Sequence, residues 1–204
     1  MIWLIVANCL VFAYQSILPD LAARIFIFRW GLSGIGLEHG AFWQLLTHAF
    51  LHGNFWHLLV NMVSLWFAGR SVEWVLGPWK FLGLYLLSAL GGGVLQMAWG
   101  PPDVELIGAS GAVFGVLLAF TTIFFDHRIT ALIFFVIPLR LKARYLGIGL
   151  VATTALAMVF QFQSWIGHAA HLGGAIVGYL FARALGYGPP SPPEIWAGKL
   201  LRRP

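Results

Sequence analysis

The sequence predicts an all-α membrane protein, a bundle of six transmembrane helices, and three observations carry that prediction. Of 204 residues, 60% are hydrophobic and only 9% charged, with a mean hydropathy of +0.84, so there are too few polar groups to cover a soluble globule. The apolar residues fall into six long runs near the roughly 20 residues that one helical crossing of the hydrocarbon needs. The runs are continuous, whereas a membrane barrel would show alternating segments of about 10 residues.

The six predicted spans are 2–18, 55–72, 81–99, 109–125, 145–162 and 167–185. The first lacks a basic leader and a small-x-small cleavage site, which makes it a span and not a signal peptide. It holds the single cysteine, Cys9, so no internal disulfide is available. The connection 19–53 is too long for a turn. Phe26, Phe28, Trp30, Phe42 and Trp43 give it the aromatic load of a segment half submerged at the outer interface. In the third span Gly91, Gly92 and Gly93 predict tight packing, while Gln96 fits either a structural hydrogen bond or a polar cavity. Gly100, Pro101 and Pro102 break that helix, and Asp103 and Glu105 line the outer approach to Ser110. The stretch from Asp126 to Arg144 mixes apolar and basic residues around Pro138 and reads as an interfacial cytoplasmic connection. Residues 1–186 form the six-helix domain, and 187–204 a Pro-rich, basic cytoplasmic tail.

Charge orients the bundle, because cytoplasmic flanks collect Lys and Arg. Arg70, Lys80, Arg128, Arg140, Lys142, Arg144, Arg183, Lys199, Arg202 and Arg203 fall on one side, leaving only Arg24 and Arg29 for the other. Both termini are therefore expected in the cytoplasm. The net charge of +5 is accounted for by the lipid bilayer, whose anionic headgroups attract such loops, and no nucleic acid is needed as a partner.

With that orientation, His57 and Asn61 lie in the outer half of span two, Ser110 near the outer end of span four, and His171 near that of span six. Polar groups in a bilayer are costly unless paired or facing water, so His57 and Asn61 read as functional and His48 and His52 as structural hydrogen-bonders. Gly108, Gly111 and Gly115 give span four a smooth face, and Gly173, Gly174 and Gly178 give span six another, so their backbones can approach closely. A serine becomes nucleophilic when a base can take its proton, and histidine has the pKa for that task. Ser110 and His171 supply the pair. His57, Asn61 and the Ser110 backbone N–H are candidate donors to an oxyanion. None of the seven acidic residues falls beside His171, so a dyad is expected and not a triad.

Gly108, Ala109, Ser110 and Gly111 opening span four, His52, His57 and Asn61 opening span two, and Ala170, His171, Leu172, Gly173 and Gly174 in span six together resemble the rhomboid family of intramembrane serine proteases. The resemblance covers nearly the whole chain. It implies a rhomboid-like six-helix fold of the minimal bacterial type in the inner (plasma) membrane, with the active site opening to the extracytoplasmic side. It implies Ser110 as nucleophile, His171 as base, His57 and Asn61 in the oxyanion hole, and Phe114, Gly108, Gly111 and Gly174 packing around the site. Substrates would be transmembrane proteins cut in or near a membrane segment, with no cofactor and no metal. Gln44 stands where many bacterial relatives carry Arg. Phe114 stands where some carry a tyrosine that packs on the histidine, which keeps the ring and drops the hydroxyl. Two other classes remain open: a non-catalytic rhomboid-like protein that binds membrane clients, and a haem or metal protein using His48, His52, His57, His168 and His171.

Overall fold

A helix stands at each of the six predicted span positions in the computed structural model, which describes residues 1–100, 105–133, 136–160 and 167–189. They are α1 (Ile2–Ile17), α5 (Phe55–Leu76), α6 (Pro78–Trp99), α7 (Ser110–Ile123), α8 (Ala143–Val159) and α9 (His168–Ala184). Only α6, with 22 residues and a mean hydropathy of 1.6 in its best window, meets the length and hydropathy of a full crossing among the described residues. α1, α7 and α8 are apolar but shorter, at 16, 14 and 17 residues. α5 is long enough, but His57, Asn61, Arg70 and Glu73 lower its hydropathy. Asp103 and residues 190–204 of the predicted tail lie outside the described residues, as do Pro101 and Pro102.

The first connection folds into α2 (Asp20–Trp30), α3 (Gly34–Glu38), α4 (Gln44–Thr47) and a 3₁₀ turn, His48–Phe50. Local signals set several of these ends. Asn54 caps α5 by accepting from the His57 N–H, and Ser33 caps α3 by accepting from the Gly36 N–H. Gly77, at φ +79°, breaks the chain between α5 and α6, and Pro78 opens α6 where its missing N–H costs nothing. The connection 126–144 is more ordered than an interfacial loop. It folds into an antiparallel hairpin of β1 (Arg128–Ile133) and β2 (Ile137–Lys142), with Arg128 opposite Lys142 and Ile129 opposite Leu141.

The bundle is apolar outside and partly polar within. Trp3, Trp74 and Trp79 are 84%, 85% and 82% exposed, while Asn8, Gln15, His48, His52, Asn61, Ser88 and Gln96 are buried. This inverts the distribution expected of a water-soluble domain. The apolar core between α5, α6 and α7 is built from Leu65, Val72, Phe81, Leu84, Tyr85, Ala112 and Val116.

α9 packs most intimately, against α7 and α6. The reason is the predicted glycine face. A Cβ at Gly174 would overlap the Gly111 carbonyl, and one at Gly178 the Gly115 carbonyl. On the α6 side a Cβ at Gly92 would come within 2.7 Å of the Ala170 carbonyl oxygen. Three helices therefore meet backbone to backbone, as small residues permit. Gly174→Val is expected to destabilise the protein by about 1–3 kcal/mol or more through overpacking. Gly83→Ala, where a Cβ meets nothing within 4 Å, is the control and should hold or slightly raise the midpoint of thermal unfolding in detergent, because alanine is the better helix former.

Candidate active site

Ser110 is the first residue of α7, and His171 lies one turn into α9. The glycine seam brings the two helices close enough for His171 Nε2 to lie 2.8 Å from Ser110 Oγ, a hydrogen-bond distance. Sixty-one residues of chain separate them. The imidazole is held by rings. Phe114, one turn below the serine, stacks on it with centroids 4.3 Å apart and planes 4° from parallel, and His168 meets its edge at 6.0 Å. The stacking expected of Phe114 is present, and the pair shows how His171 is oriented by packing.

α9 starts with its own anchor. Gln96 Oε1 accepts from the Ala170 N–H at 3.2 Å, so this glutamine fixes the turn that carries His171. Of the two roles open to Gln96, the geometry gives it the structural hydrogen bond.

His57 and Asn61 sit on the facing side of α5. The His57 ring lies directly under Gly108, where a Cβ would come within 2.6 Å of His57 Cε1. Gly108 has φ +124°, a conformation that glycine adopts without strain, so this residue is needed for both its backbone and its missing side chain. Asn61 is buried and donates one amide hydrogen to the His57 carbonyl at 2.8 Å. The amide has a second hydrogen. Gly111 and Gly174 are the points at which α7 and α9 touch, and all eight predicted site residues fall around one corner of the bundle.

Above this corner the first connection is tied down by polar groups. Gln44, 2% exposed, accepts from the Ser33 N–H at 3.2 Å and donates to the carbonyls of Phe28 and Arg29 at 3.0 and 3.3 Å. The glutamine thus anchors the loop. His48 accepts the Gly108 N–H on its carbonyl at 2.9 Å, and Leu32 and Leu106 exchange both backbone hydrogen bonds, so the loop is laced to the strand leading into Ser110. The His48 ring contacts the Gln44 carbonyl through Nδ1 at 2.9 Å. Gln15 of α1 grips the backbone of His52 from both sides, at 3.1 and 3.3 Å.

Gln15, Gln44 and Asn54 join the site's supports, and of these only Gln44 was singled out in the sequence, as a departure from the pattern of the family it resembles. Two of them carried a signal: a polar side chain inside an apolar run for Gln15, and a capping residue ahead of a periodic segment for Asn54. Nothing short-range marks Gln44, whose partners lie up to 16 residues away.

These features define a class: a helical membrane protein whose polar interior brings a serine and a histidine together at one end. A model of the rhomboid domain matches residues 39–188, and the chain belongs to the rhomboid family, whose members are integral membrane proteins of helical fold. It is 31% identical to the rhomboid protease GluP of Bacillus subtilis over 74% of this chain and 27% of that protein. It is 36% identical to the mitochondrial rhomboid protein 1 of Saccharomyces cerevisiae over 72% of this chain and 39% of that one. Against the rhomboid protease AarA of Providencia stuartii the identity is 27%, over 89% of this chain and 70% of the relative. The chain thus spans well under half the length of the first two.

Two outcomes test how the loop is held. Gln44→Ala takes the Gln44 amide from the buried Ser33 N–H and the Phe28 carbonyl, while the Arg29 carbonyl keeps the Trp43 indole N–H, and is expected to cost about 1–3 kcal/mol in thermal unfolding. Burial pushes the His48 pKa down to about 4 from 6.5. A histidine held neutral in the fold contributes stability that is complete above pH 6.5 and is lost as pH falls toward 4. Unfolding midpoints should therefore fall across that window, and His48→Gln should flatten the dependence.

Proposed function

We propose that this chain is an intramembrane serine endopeptidase that hydrolyses peptide bonds in or near transmembrane segments of other membrane proteins, with Ser110 as nucleophile and His171 as general base. The observation that carries the proposal is the 2.8 Å approach of His171 Nε2 to Ser110 Oγ beneath the Phe114 ring.

The chemistry follows from that geometry. As Ser110 Oγ attacks a scissile carbonyl, its proton passes to His171 Nε2, and the imidazolium returns it to the leaving amine. Water then attacks the acyl-enzyme with His171 again as base. The oxyanion formed at each attack takes hydrogen bonds from the Ser110 N–H, the free hydrogen of the Asn61 amide and the His57 ring. Orientation of the base by stacked rings replaces the carboxylate of a triad.

Membrane placement is supported by exposed tryptophans at two levels. Trp74 and Trp79 flank the α5–α6 turn, and Trp56 and Trp99 stand at the far ends of the same two helices, all exposed. The separations of 18 and 20 positions rise about 27–30 Å, close to the roughly 30 Å of bilayer hydrocarbon, with Trp at both interfaces. α7, with 14 residues, rises only about 21 Å. Ser110 is then recessed several ångströms below the outer surface, roofed by the laced first connection. The Lys and Arg distribution favours cytoplasmic termini and a site that opens on the extracytoplasmic side. The plasma membrane of a bacterium is the placement we adopt from the bacterial relatives GluP and AarA, and mitochondrial relatives match a similar share of the chain.

A fluorophosphonate probe should label the detergent-purified protein at Ser110, and cleavage of a model transmembrane substrate should fall on the order of 10⁴-fold or more in Ser110→Ala and in His171→Ala. His57→Ala and Asn61→Ala should each cost up to about 10²–10³-fold, less where the remaining donors compensate. A wild-type protein that neither labels nor cleaves while still binding membrane clients would make it the non-catalytic kind.

A further inference from the structure

The hairpin β1–β2 is two-faced in a way that neither the fold nor the proposed chemistry requires. Residues opposite one another in an antiparallel pair share a face. The register therefore sets Arg128, Thr130, Arg140 and Lys142, with Pro138 at the far end, on one face and Ile129, Ala131, Ile137, Leu139 and Leu141 on the other. At its base, the Ala143 N–H donates to the His127 carbonyl at 2.9 Å and the Arg144 N–H to the Phe125 carbonyl at 3.2 Å, so the ribbon leaves the bundle as a continuous extension. Its neighbour there is α8. The apolar face is half-buried at Ile129, Ala131 and Leu141 and open beyond them, where Ile137 is 59% and Leu139 48% exposed.

An isolated two-stranded hairpin with an apolar face open to water is marginal, and it persists when that face is covered. The charge on the other face decides what covers it. Asp126 takes Lys142 and Arg144, at 3.1 and 3.0 Å, and is the one carboxylate paired with the hairpin among the described residues. Arg128 and Arg140, both exposed, are left without an acidic partner among those residues. A ribbon with one apolar and one basic face is the strand counterpart of an amphipathic interfacial helix: the apolar side enters the acyl boundary while long basic side chains reach up to phosphates.

We propose that this hairpin docks on the acidic lipid surface of the leaflet at the cytoplasmic end of the bundle, holding α7 and α8 at a fixed depth. The proposal rests on the membrane reading of the fold, and it is independent of whether Ser110 acts as a nucleophile.

The test uses the full chain with Cys9→Ser, carrying single nitroxide labels at Ile129→Cys, Ala131→Cys or Leu139→Cys on one face and Thr130→Cys or Arg140→Cys on the other. In nanodiscs of phosphatidylcholine with phosphatidylglycerol, the ratio of oxygen to nickel-chelate accessibility is expected to alternate along the strands, high for the first set and low for the second. The alternation should weaken in phosphatidylcholine alone. Arg128→Gln and Arg140→Gln, read through a label at Leu139→Cys, should each lower the docked-to-undocked ratio about fivefold. A label at Leu10→Cys, a 66% exposed position on α1, reports the membrane reading itself and should favour oxygen throughout. If Leu10→Cys reads as lipid-facing while both hairpin faces are equally open to the nickel chelate, the docking proposal is overturned. Equal alternation in both lipids, unmoved by Arg128→Gln and Arg140→Gln, would overturn its dependence on acidic lipid.

Discussion

Contact between helix backbones, unseparated by side chains, is the constraint on which this structure depends. Gly115 of α7, Gly174 and Gly178 of α9 and Gly92 of α6 leave no space in which a methyl group would fit, and at Gly111 one would sit 3.2 Å from the Ala170 carbonyl oxygen. Inside a bilayer, water gives helices no reason to associate through apolar side chains, since lipid tails are equally apolar, and close van der Waals packing takes over. That packing also fixes chemistry. A few ångströms more between α7 and α9 would remove the 2.8 Å approach of Ser110 to His171, whatever else survived.

The polar interior does a second job, which is to hold irregular chain above the site. Gln15, Gln44 and the His48 carbonyl each satisfy backbone groups that no helix or sheet supplies, in a region where an unpaired donor is costly. Gln44 shows how one neutral side chain can do this, because its amide oxygen and nitrogen reach three backbone groups without a charge.

Much of this was legible in one dimension. The six apolar runs marked six helices because burial in hydrocarbon demands continuous apolarity, and the three- and four-residue spacing of glycines marked the face on which α7 and α9 meet. Ser110, His171, His57 and Asn61 stood out as polar residues where polarity is expensive. The hairpin was hidden because a connection of some twenty residues rich in Ile and Arg carries no strong period until pairing aligns Arg128 with Lys142. The partners of Gln15 and Gln44 were hidden because they are backbone atoms of distant segments, which have no signature in residue type.

The sequence by itself determined the solvent this chain is built for and the positions of the six long apolar segments, because those depend on composition and spacing alone, whereas the three short helices of the first connection came only with the fold. Only the tertiary structure decided that the His171 ring lies flat on Phe114, that the His57 ring fills the space a side chain at Gly108 would need, and that one Asn61 hydrogen is spent on the His57 carbonyl. The first two are contacts between groups tens of residues apart, set by how three glycine-faced helices settle against one another, and the third is a choice among partners that residue type leaves open.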